Sequence, residues 1–148
     1  MGRSILYLVV PLLVSLLMLP TVGNYVYQHK ITVMSTNLAQ PAIQKAAQTF
    51  KEETGTKIEL KFIKSTEPEL QMEKADVIIF ESETQAKKAA KQQIIQPETI
   101  RQLYQPVKNS PIKTNLTAAV TRNSGKKQAK KFVEFLASNR GKEIISGE

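Results

Sequence analysis

From Ile31 onward, two apolar spacings take turns along the chain. Ile31 to Met34 is a short β-run that enters a polar turn, Ser35-Thr36-Asn37. Pro41, a residue suited to the first turn of a helix, precedes Ile43, Ala46, Ala47 and Phe50, one stripe at i, i+3, i+4 and i+7. Gly55 stands where a left-handed C-terminal cap belongs. Lys57 to Ile63 places Ile58, Leu60 and Phe62 on one face and predicts a strand. Ser65 to Pro68 reads as loop, and Leu70 to Lys74 as a short helix. Ala75 to Phe80 is apolar throughout after one acid, which suits a strand buried on both faces of a parallel sheet.

Further on, Glu83 to Gln92 is alanine-rich and helical, and Pro97 begins a predicted short helix through Ile100, Leu103 and Tyr104. Gln105 to Asn115, with Pro106 and Pro111, reads as loop or hinge. Leu116 to Thr121 is a strand. Lys127 to Ser138 is an amphipathic helix with Ala129, Phe132, Val133 and Leu136 on one stripe, and Gly141 to Ile145 is a last helical turn. Strands alternating with helices of this length predict an α/β fold, a three-layer α/β/α arrangement around a mostly parallel sheet.

The first residues follow a different rule. Arg3 leads an apolar run from Ile5 to Leu19, which Pro20 ends. This is the charge-then-apolar order of a secretory signal. The run reaches about 18 residues if Val22 is included, which borders on a spanning helix, and Tyr25 and Tyr27 suit interfacial anchors. A cleaved signal and a retained anchor are both open, and both send the remainder across the membrane, to the periplasm or its outer face. The chain thus divides into 1–23 as signal peptide or anchor, 24–30 as linker and 31–148 as one folded unit. The membrane is met only through the N-terminal segment.

The chain has no cysteine, which excludes disulfides, a thiol nucleophile, thiolate metal sites and a lipid-modified N-terminal cysteine. Net charge is +8, and Arg3 is the only charged residue of the first 23, so nearly all of it belongs to the exported part. No aromatic interleaves the lysine clusters as a base-stacking surface requires, so nucleic acid is not expected as a partner. His29, the single histidine, has no second ligand in sequence reach, and no metal or cofactor is expected. No Ser-His-Asp set, paired carboxylates or glycine-rich phosphate loop is present, and the chain does not read as an enzyme.

Three stretches carry a family resemblance. ITVMSTNLAQPAIQKAAQTFKEETGTKIEL is similar to the first strand, ligand loop, first helix and second strand of type II periplasmic substrate-binding proteins, the receptors of ABC transporters. KSTEPELQMEKADVIIFES is similar to their Gly-Ser-Ser loop with the Ala-Asp-Val strand after it. NLTAAVTRNSGKKQAKKFVEFLASNRGKEII is similar to their closing strand and helix, including the Ser-x-x-Gly-x-x-Ile turn. The group resembled most binds tetrahedral oxyanions such as molybdate, tungstate, phosphate and sulfate. Family members have two lobes that close on the ligand. Here the chain leaves room for one, with the other removed or reduced to a short loop.

The resemblance implies an anion held by two loops, at Ser35, Thr36 and Asn37 and at Ser65 and Thr66. Counting back from the helix puts the family's ligating serine at Leu38 without a gap and at Asn37 or Thr36 with one. In the second loop Lys64 replaces the family's glycine and Glu67 follows. Ordinary helix capping by the same residues is the competing use. Asp76 is expected to order the start of its strand. An ABC permease or a second copy of the chain would be the partner. The alternative is a ligand-free, membrane-tethered protein-interaction domain derived from such a lobe.

Overall fold

The computed structural model describes residues 29–36, 39–63, 72, 74–110 and 112–147. Five strands form one sheet: β1 (Lys30–Thr36), β2 (Lys57–Ile63), β3 (Val77–Phe80), β4 (Arg101–Tyr104) and β5 (Leu116–Val120), in the spatial order β2-β1-β3-β5-β4. The helices are α1 (Gln40–Thr54), α2 (Glu83–Lys91), α3 (Lys127–Ala137) and α4 (Asn139–Ser146). β1 pairs in parallel with β2 and β3, whereas β5 runs antiparallel to both β3 and β4. Four strands therefore point one way and β5 the other.

Alternation along the strands builds two cores. Ile31, Val33, Val77, Ile79, Ala118 and Val120 face α1, α3 and α4, where Phe50 packs edge-on against Phe132 with centroids 5.1 Å apart. Met34, Ile78, Phe80 and Ala119 face the other way, onto Ala86 and Ala89 of α2. All four residues of β3 are buried, as its continuous apolar run requires. The α1 stripe Ile43, Ala46, Ala47 and Phe50 is buried as its spacing predicts, and Gly55 closes the helix at φ 71°.

One expectation is corrected. Pro97 opens only a single 3-10 turn, Pro97–Thr99, and the chain then extends as β4. A register shift between Gln102 and Tyr104 turns Leu103 and Tyr104 into the same core, so a bulged strand mimics helical spacing. Within the mostly parallel sheet, β5 is the one strand that runs against the others. No crossover helix separates β4 from β5, and strands joined by a plain loop pair antiparallel. That loop is fastened by a hydrogen bond between the Tyr104 and Ser110 hydroxyls. Of the predicted helix over Leu70 to Lys74, Met72 is helical and Lys74 lies in a turn; the rest is outside the described residues.

One carboxylate joins the strand starts. Asp76 Oδ2 accepts from the backbone N–H of Thr32 at 2.8 Å and from Lys126 Nζ at 3.1 Å, while Oδ1 accepts from Ser124 Oγ at 2.8 Å. The side chains of Asp76 and Lys126 are 12% and 15% exposed, so the pair is largely shielded from water. Lys126 Nζ also donates to the carbonyl of Lys30 at 2.9 Å. The sequence reading of Asp76 as a structural acid at its strand's start holds. Replacing it with alanine strands a largely buried ammonium, and we expect Asp76→Ala to cost about 3 kcal/mol in urea unfolding; a loss below about 1 kcal/mol would contradict this assignment.

Ser138 ends α3 and caps α4, accepting from Gly141 N–H at 3.1 Å while its hydroxyl donates to Phe135 O at 2.5 Å. A Cβ on Gly141 would lie 2.1 Å from Phe135 O. Gly141→Ala is therefore expected to destabilise the fold by about 2 kcal/mol or more. Gly125→Ala, with open space around it, should stay within about 0.5 kcal/mol in the same denaturation series.

Candidate functional site

The connections from β1 and β3 set the place. β1 leads into α1 on one face of the sheet, and β3 leads into α2 on the other. The two adjacent parallel strands diverge at their carboxyl ends, and open α/β sheets bind ligands in such a crevice. Ser35 and Thr36 end β1, and Glu81 and Ser82 follow β3.

Ser35 and Thr36 arrive there on opposite faces, because successive strand residues alternate. Ser35 is 1% exposed, and its hydroxyl donates to the carbonyl of Thr36 at 3.3 Å. Thr36 turns with Met34 toward α2 and lines a groove of about 220 Å³ together with Ile63, Met72, Phe80 and Lys88. Its Oγ1 is shut from solvent and has no hydrogen-bond partner among the described residues. The two hydroxyls thus do not converge on one ligand. Asn37, Ser65 and Thr66 lie outside the described residues.

The capping expectation is corrected for Ser35 and Thr36, while Asn37 lies outside the described residues. The N-cap of α1 is Ala39, which supplies no side-chain hydrogen bond, and Pro41 fills the first turn. Neither Ser35 nor Thr36 is near enough in the chain to cap, since both belong to the strand. Among the described residues, no side chain caps the backbone N–H groups in the first turn of α1.

Sequence reasoning missed the groove's second wall. Ser82 caps α2, accepting from Gln85 N–H at 3.2 Å, and Gln85 Oε1 accepts from Glu81 N–H at 3.2 Å. Ser-x-x-Gln is close to a capping box, and that signal was available in Ser82 and Gln85. The result fixes Glu81, an acid, at the crevice mouth. Elsewhere, the His29 ring lies 3.5 Å from Gln128 Nε2. No cluster of potential metal ligands and no helix long and apolar enough to span a membrane occurs among the described residues.

A buried hydroxyl without a partner loses little when replaced by a methyl group. Thr36→Val should leave stability unchanged or raise it by up to about 1 kcal/mol. A comparable loss in thermal unfolding would mean that Oγ1 is engaged in the unliganded protein.

No protein-family model matches the sequence, and no curated protein matches it. Among solved structures, the chain resembles a substrate-binding domain assigned to a molybdenum ABC transporter of Clostridium difficile, with a TM-score of 0.64 and 13% sequence identity. The match covers 78% of this chain and 95% of that one. The chain has a mixed α/β fold like that of this substrate-binding domain.

Proposed function

We propose that the chain is an exported solute-binding module that takes a small oxyanion (molybdate, tungstate, phosphate or sulfate) at the carboxyl ends of β1 and β3, for ABC-type transport. The observation that carries this reading is the first turn of α1, which no side chain among the described residues caps and which opens at the strand switch point. Backbone N–H groups at a helix N-terminus favour an anion through both hydrogen bonding and the helix dipole. The fold likeness supports the module, and the partner in this reading is an ABC permease or a second copy of the chain.

A crevice open on one side leaves water competing for each hydrogen bond. Affinity is therefore expected near millimolar, about 4 kcal/mol weaker than a micromolar closed cleft. Calorimetry of the full chain, or of its mature form if the leader is removed, with the four anions should give weak heats and a small thermal shift. The absence of both at millimolar anion would sink the proposal. In that case the ligand-free, membrane-tethered interaction domain gains. Its support is the opposed direction of Ser35 and Thr36 and the acid Glu81 at the mouth.

A further inference from the structure

The positive charge is concentrated at the end of the sheet away from the crevice. Lys30 and Lys57 are register partners at the starts of β1 and β2. Val33 pairs with Val77, so Lys74 stands at the level of Lys30. Val120 also pairs with Val77, which brings Arg122 and the turn to Lys126 and Lys127 to the same end. Lys51 and Lys91 arrive there in the last turns of α1 and α2. All of these except Lys126 are exposed. Among the described residues the acids at this end are fewer: Asp76 is bound to Lys126, Glu53 pairs with Arg140, and Glu52 and Glu98 are exposed.

Folding explains only some of these cations. Lys51 and Lys91 offset the negative ends of helix dipoles. Lys30, Lys57, Lys74 and Arg122 sit at strand starts or in turns. Lys130, in the first turn of α3, shares a hollow with Glu98 and Glu134. The cations at the strand starts and turns outnumber the described acids at this end, which makes the surface attractive to anions.

The chain emerges at this same end. The ten residues from Pro20 to His29 span at most about 35 Å when extended, so an apolar run retained in a bilayer keeps this surface near the headgroups. We infer that the basic end is a docking surface for anionic lipid headgroups, which seat the lobe on the membrane with its crevice facing away. The inference rests on the anchored reading of the N-terminal run. It does not depend on any anion bound at the crevice.

The test reconstitutes the full chain in vesicles of phosphatidylcholine alone or mixed equally with phosphatidylglycerol. Lysines are labelled with an amine reagent and read by peptide mass spectrometry. Lys30, Lys57, Lys74 and Lys127 should label at least about twofold less in the anionic vesicles and recover at about 0.5 M salt, where the screening length falls to a few ångström. Lys87, Lys108 and Lys113, away from this end, should not change. Equal labelling at all sites, or protection that ignores lipid charge or salt, overturns the inference. So does stronger protection by a DNA oligonucleotide in neutral vesicles, which would assign the surface to nucleic acid. The K30Q/K57Q/K74Q variant, checked for an unchanged melt, should lose the salt-sensitive protection of Lys127. Its retention overturns the inference. Should the leader be cleaved, the anchored reading fails by itself, and co-sedimentation of the mature chain with anionic vesicles then decides the docking; none means no docking surface.

Discussion

The joint between β1 and β3 is narrow, with only Val33–Val77 and Met34–Ile78 in paired register. What holds it is the Asp76 carboxylate, which takes one donor from β1, one from the turn after β5 and one from the lysine that opens α3. The reverse link adds Asp76 N–H to Thr32 O at 2.8 Å. Thr121 strengthens the same corner, its N–H donating to Asp76 O and its hydroxyl to Ala75 O. A charge pair this shielded gives little net stability over apolar packing, because desolvation offsets the Coulomb gain. Its value is that only one register of β1, β3 and β5 satisfies all its donors.

Tying the strand starts together has a consequence at the other end. The carboxyl ends of β1 and β3 have no such tie among the described residues, and the chain leaves them toward opposite faces. The crevice is a by-product of that divergence. The same corner also gathers cations, since Lys30, Lys74, Arg122, Lys126 and Lys127 are each within a few residues of a group that the network holds. Cations thus gather where the sheet begins, whereas the end of β3 carries Glu81 and Glu83 alongside Lys87 and Lys88.

Elements defined by a single local pattern were legible in the sequence. The α1 stripe with Gly55, the alternation of β2, the buried run of β3 and the Ser138–Gly141 turn need no partner to declare themselves. β4 was not legible because a bulge puts Leu103 and Tyr104 on one face and breaks the period-2 signal. The direction of β5 was hidden for a related reason, since it follows from the loop between β4 and β5 and not from its own residues. Ser35 and Thr36 read as loop hydroxyls because β1 looked shorter than it is. Two more residues in the strand send their side chains to opposite faces.

That last misreading bears on where a ligand could be held at all. Side chains at the end of β1 cannot form a cradle when one is turned into the α1 core and the other into the α2 groove. Backbone N–H groups in the first turn of α1 are under no such limit, because their direction is set by the helix and not by residue identity. A site built on them leaves almost no mark in the sequence beyond the helix start itself. At 13% identity the fold can keep that helix start while the loop residues around it differ. Serines and threonines in the loops are then weak guides to binding. The informative positions are those that place the α1 terminus, from the buried Val33 and Ile43 to Pro41 in its first turn.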